Sequence, residues 1–102
     1  MRELKFRVLS EFKTPLPLNR ATDFKVFVEY DDARKLEKSN IQITSAENGE
    51  GKFSLSDFEI QGLRLGKGIP FILQFSLDGE LKKVLFSNAL DVTEIDGRKS
   101  II

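Results

Sequence analysis

Apolar and polar positions alternate along most of this chain, and a period of two marks strands with one face buried and the other in water. Leu4-Lys5-Phe6-Arg7-Val8 puts its apolar residues on one side and its cations on the other. Phe24-Lys25-Val26-Phe27-Val28-Glu29-Tyr30 alternates again, with Phe27 on the face opposite Val26 and Val28. Ile41-Gln42-Ile43-Thr44 is a short β-branched run that reads as a strand able to pair with a partner if it lies at an edge. In Ile69 to Leu77, Phe71, Leu73, Phe75 and Leu77 share one face, which predicts a central core strand. Asp78-Gly79 is a two-residue turn whose positive φ angles match strand twist, so Leu81 to Phe86 is predicted to return antiparallel. Ser87-Asn88-Ala89 interrupts the pattern, Leu90 to Ile95 resumes it, and Asp96-Gly97 is read as closing the fold.

The connecting segments are less regular. Thr14 to Asn19 contains Pro15 and Pro17, which have no N–H for a ladder, and reads as a loop whose Leu16 and Leu18 tuck under a sheet edge. Ala33 to Ser39 has helix-forming residue types but a single Leu, too little for a helix alone; it reads as a loop or a frayed strand start. Asn48-Gly49 is a turn. Lys52 to Leu55 and Phe58 to Ile60 read as one strand with a bulge near Ser56-Asp57, where the apolar parity changes, or as two short strands. Strands of this number and spacing, punctuated by Gly, Pro, Asn and Asp, indicate an all-β sandwich or small barrel, and the expectation is an antiparallel sandwich of about seven strands. It occupies residues 1–97, and residues 98–102 read as a C-terminal tail.

Composition narrows the chemistry. The chain has 102 residues, room for one domain, with 40% hydrophobic and 31% charged residues. Sixteen basic and sixteen acidic residues cancel, so no global charge draws it to nucleic acid or anionic lipid. It has neither His nor Cys, which removes Cys/His zinc sites, cysteine nucleophiles and imidazole relays. The expectation is therefore no enzyme, no cofactor and no metal. The charged start offers no signal-like apolar run, and no stretch approaches the roughly 20 apolar residues of a membrane span. The expected compartment is cytoplasm or nucleus, without membrane insertion.

Few motifs point elsewhere. Gly62-Leu63-Arg64-Leu65-Gly66-Lys67-Gly68 suggests a phosphate loop, but its spacing is wrong and a strand follows it instead of a helix; it reads as a corner that uses glycine for positive φ. The acidic pairs Asp31-Asp32, Asp57 with Glu59, Asp78 with Glu80 and Glu94 with Asp96 read as turns and solvated edges. The candidate interaction residues are Phe27 and the cations Lys35, Lys38, Arg64, Lys67, Lys82, Lys83, Arg98 and Lys99. Phe27 either anchors a partner or lies under the Pro15 to Leu18 loop, and the second is the expectation. Ser100-Ile101-Ile102 has the form of a ligand for carboxylate-capturing domains.

The run from Asn48 through Ile60, then Gly62, Phe71 to Phe75 and Ser87 to Val92, resembles the C-terminal half of immunoglobulin-like modules of the invasin-type and filamin-like kinds. Val26 to Tyr30 and Ile41 to Ser45 fit that plan's middle strands. The chain departs from antibody-type domains in lacking both cysteines and the core Trp. The resemblance implies an immunoglobulin-like sandwich and a non-catalytic role in protein interaction or domain spacing within a larger protein. The final strand and the basic segment after it also resemble sandwich transcription factors of the Rel and STAT types, which gives the alternative: a nucleic-acid binder using loop and tail cations. A third similarity, to C2 domains, rests on Leu4 to Val8 and Asp31-Asp32, without the further loop aspartates that calcium needs.

Overall fold

The computed structural model describes residues 1–31 and 33–102. The strands are β1 (Arg2–Arg7), β2 (Ala21–Glu29), β3 (Lys35–Lys38), β4 (Gln42–Ser45), β5 (Glu50–Leu55), β6 (Gly66–Leu77), β7 (Glu80–Ile95) and β8 (Arg98–Ile101), with one short helix, α1 (Asp57–Gln61), between β5 and β6. They form two antiparallel sheets, ordered β1-β5-β4 and β3-β2-β6-β7-β8. The protein is an all-β sandwich of the predicted class, with eight strands among the described residues.

Each alternating run buries the face its sequence indicates. Val26 and Val28 of β2 and Ile69, Phe71, Leu73 and Phe75 of β6 are buried, and from the smaller sheet they meet Phe6, Phe53 and Leu55. Aromatic rings tie the layers together: Phe71 meets Phe53 edge-on at 5.2 Å between centroids and stacks on Phe86 at 4.7 Å, and Phe86 lies 6.0 Å from Phe6. Such ring contacts contribute about 0.5–1.5 kcal/mol each beyond area burial. The β6–β7 turn at Asp78 and Gly79 has φ of 51° and 81°, as the Asp-Gly pair predicts.

Three expectations are corrected, and a fourth segment resolves to one of its two alternatives. Phe58 to Ile60 is not strand but part of α1, because Ser56 and Glu59 form a capping box: Ser56 Oγ accepts from Glu59 N at 3.1 Å and Glu59 Oε1 accepts from Ser56 N at 2.9 Å. Residues 98–101 are not a tail but β8, since Asp96 and Gly97, at φ 52° and 79°, repeat the hairpin turn of residues 78–79. Ile101 is therefore buried against the sheet instead of being presented as a C-terminal ligand. Ser87 to Ala89 does not end a strand; the ladder with β6 shifts register there, Asn88 adopts φ 51°, and β7 continues. Within Ala33 to Ser39, of the two alternatives of a loop and a frayed strand start, the strand holds: residues 35–38 pair with β2 as β3.

Candidate functional site

The five-stranded sheet turns Val26, Val28, Phe71 and Leu73 inward, so the residues between them point out. Cross-strand register aligns these outward residues in rows. Phe27 of β2 stands opposite Glu37 of β3 and Ile72 of β6, and Ile72 stands opposite Leu85 of β7. Phe27, Ile72 and Leu85 thus form an apolar row across three adjacent strands, about 10 Å long at about 4.8 Å per strand. Leu85 is 63% exposed and Leu81, on the same face of β7, is 60% exposed, whereas Phe27 and Ile72 are half-buried.

A polar row runs beside it. Gln74 stands between Lys25 and Lys83 in the same register, and Lys35 lies at the edge opposite Glu29. Phe27, Lys35, Ile72, Gln74 and Lys83 line a shallow groove of about 160 Å³. Lys25 reaches Glu37 at 3.6 Å, which leaves the Lys35 and Lys83 ammonium groups as the cationic flanks of the apolar row. The expectation that Phe27 lies under the Pro15 to Leu18 loop is corrected. That loop is held on the other sheet's side of the molecule, with Leu16 N donating to Val8 O at 2.9 Å, Leu18 N donating to Ala46 O at 2.7 Å, and Leu18 buried.

Three candidate residues, Phe27, Lys35 and Lys83, are therefore gathered on one surface, and the others are dispersed. Lys38 Nζ donates to both oxygens of Glu59, at 2.9 and 3.0 Å, with each side chain 18% exposed. Burial pushes the Glu59 carboxyl up, but the Ser56 N–H and the Lys38 ammonium outweigh it and hold the group below its ordinary value. Lys99 Nζ donates to Asp31 Oδ2 at 2.7 Å and to the Leu63 carbonyl at 2.8 Å, so this cation fastens β8 to the loops beneath it. Arg64 pairs with Glu29 at 3.0 Å. Lys82 pairs with Glu80 on its own strand, and their hydrogen bond raises the lysine's pKa and lowers the glutamate's. Lys67 is exposed at the start of β6 and Arg98 at the start of β8, opposite Ile95. Lys82 and Ile95 are thirteen residues apart on one strand, about 40 Å at about 3.3 Å per residue. Of the cations proposed for nucleic acid, Lys38, Arg64, Lys82 and Lys99 thus each face a carboxylate, and apart from Lys35 and Lys83 on the groove the cations stand at separate places.

The acidic pairs resolve likewise. Asp57 accepts from the N-terminal ammonium, a hydrogen bond that lowers its pKa; Asp78 pairs with Arg20. Asp31 is taken by Lys99, while its neighbour Asp32 lies outside the described residues. In the glycine segment, the Gly68 N–H donates to Asp91 Oδ1 at 2.8 Å and is thereby engaged within the chain. Gly62 caps α1 at φ −90°, so this glycine is there for space: a Cβ would stand 2.9 Å from the Tyr30 ring.

The sequence reading missed Ile72, Leu85 and Lys25. Their signal was apolar residues at the off-core parity of two strands, which becomes a surface only once the register is known. Among the described residues no helix is long and apolar enough to cross a membrane. Comparison with protein-family models, curated proteins and solved structures finds no match.

Proposed function

We propose that this chain is a non-catalytic immunoglobulin-like module that binds a protein partner through the outer face of its five-stranded sheet. Strand order supports the immunoglobulin-like label. β1, β5 and β4 follow one another as strands B, E and D do in that fold, and β3, β2, β6 and β7 follow as C′, C, F and G, with β8 added beyond G. The observation that carries the binding role is the row Phe27, Ile72 and Leu85, set in register on central strands and flanked by Lys35 and Lys83. Apolar anchors held rigidly and rimmed by charge are the arrangement that concentrates binding energy in protein interfaces. The partner that fits presents apolar side chains to the row and carboxylates to the two lysines.

The test is proximity cross-linking in cells followed by identification of the captured protein with three variants. Leu85→Glu and Phe27→Ala are expected to lose the partner, whereas Lys82→Glu, whose side chain belongs to the other face, retains it. A partner captured equally well by Leu85→Glu overturns the assignment of this face.

A further inference from the structure

Independently of that reading, we propose that the chain self-associates by antiparallel pairing of β4 with β4 of a second copy. Two open sheets leave exposed edges, and an unpaired edge is a template for another strand unless it is guarded. Charge guards most of them here. β1 carries Arg2, Glu3, Lys5 and Arg7; β3 carries Lys35, Glu37 and Lys38; the stretch of β7 beyond β8 carries Glu80, Lys82 and Lys83; and β8 carries Arg98 and Lys99. Among the described residues β4, with Gln42, Ile43, Thr44 and Ser45, is the edge strand without a charged side chain. No loop or side-chain hydrogen bond reaches the backbone of Gln42, Ile43 or Thr44 among the described residues.

The strand is also compatible with itself. An interface between identical copies places residue i against j and j against i. Centred on Ile43, this register sets Ile43 against Ile43 of the second copy and Gln42 against Thr44 twice. The exposed Gln42 and Thr44 then face each other on the solvent side. On the inner side the two Ile43 side chains, packed on the core yet half-exposed at its rim, cover each other, and Ile41 of each copy lies against Ser45 of the other. The same operation on β3 or β7 brings lysines together. The result is a continuous six-stranded sheet, β1-β5-β4-β4-β5-β1. With so few residues paired per copy, the contact falls below the roughly 1,000 Å² of a stable complex, so the dimer is weak and reversible.

Sedimentation velocity on the full chain from about 10 µM to about 1 mM tests this through mass action. The weight-average mass is expected to climb from 11.6 kDa toward twice that value. Two double variants at the exposed positions, which leave the core untouched, read the register. Gln42→Lys with Thr44→Lys sets like charges opposite each other twice and weakens association about fivefold or more. Gln42→Lys with Thr44→Glu sets opposite charges there and tightens it. Leu85→Lys on the other sheet changes nothing. A chain that stays monomeric at the highest concentration overturns the proposal, as does identical behaviour of the two double variants or loss of association in Leu85→Lys.

Discussion

Gln61 clasps the backbone of Lys99: its Oε1 accepts from Lys99 N at 2.9 Å and its Nε2 donates to Lys99 O at 3.0 Å. A side-chain amide thus does for β8 what a neighbouring strand would do, satisfying both backbone groups of one residue at the sheet's edge. It also joins α1 to the last strand, where Lys99 is already bound through Nζ to Asp31 and Leu63. Gln61→Met keeps the helix-favouring stem and removes both bonds, so it is expected to cost about 1–3 kcal/mol. For a domain of this size that lowers the melting temperature by about 4–8 °C per kcal/mol. Arg98→Met, one residue away and pointing outward, is expected to stay within about 0.5 kcal/mol of wild type. Thermal melts of the two variants separate the clasp from the general basicity of the segment.

The capping box and its lysine give a pH prediction. In the folded chain Glu59 titrates below its ordinary value, so as acid is added the unfolded chain takes up this proton first. The stabilisation from Glu59 is whole above about pH 4.5 and is lost as pH falls through the lower folded value. Asp57, lowered by its bond to the N-terminal ammonium, acts in the same direction. Melting temperatures measured from neutral pH down to about 3 should therefore fall more steeply for wild type than for Glu59→Gln, which has no charge to lose. Ser56→Ala removes the cap itself and is expected to cost about 1 kcal/mol at any pH. Parallel curves for wild type and Glu59→Gln would show that folding does not hold Glu59 below its ordinary value, so that neither the Ser56 N–H nor the Lys38 pair favours its charged form.

How far the sequence was legible follows from what each element depends on. β2 and β6 announce themselves because Val26 and Val28, and Phe71 through Phe75, keep a strict period of two. The helix was hidden by its length: five residues cannot display a 3.6-residue period, and the signal was local, Ser56 with Glu59 three positions on. β8 was hidden because its inward positions are Lys99 and Ile101, and a lysine in a buried register looks like a charged tail until its ammonium is seen to be hydrogen-bonded. The proposed interaction face was half legible. Phe27 stood out on its own strand, but its row with Ile72 and Leu85 depends on pairing β2 with β6, whose Phe27 and Ile72 lie 45 positions apart in sequence.

The dispersal of the cations predicts the response to nucleic acid. Phosphate binding that matters requires several ammonium or guanidinium groups on one track, and each contact steepens the salt dependence. Here Lys38, Arg64, Lys82 and Lys99 each face a carboxylate, and Lys82 lies far along β7 from Arg98. Anisotropy of labelled single- and double-stranded oligonucleotides is expected to show no tight binding at about 50 mM salt and so no collapse at about 200 mM. Tight, salt-sensitive binding would favour the transcription-factor alternative and shift mutagenesis to Lys35, Lys83 and Lys67.

Gly49 is the glycine the fold can least replace. It turns the chain from β4 into β5 at φ +67°, and a Cβ there would stand 2.6 Å from the carbonyl oxygens of both Leu16 and Val8. Those carbonyls belong to a small network: Val8 N donates to Gly49 O at 2.8 Å and Leu16 N donates to Val8 O at 2.9 Å. An added methyl group must push backbone aside, with Val8 and Leu18 buried next to it in the core. Gly97 has the same handedness at φ +79° but nothing within 4 Å of its would-be Cβ. Gly97→Ala therefore carries only the left-handed penalty, about 1–2 kcal/mol. Gly49→Ala carries that penalty plus the clash, and about 3 kcal/mol or more is expected, in the range reserved for core disruption. Urea melts of the two variants isolate the steric part, because the conformational cost is common to both. Equal losses would mean that the Pro15 to Leu18 loop yields freely and does not brace the β4–β5 turn.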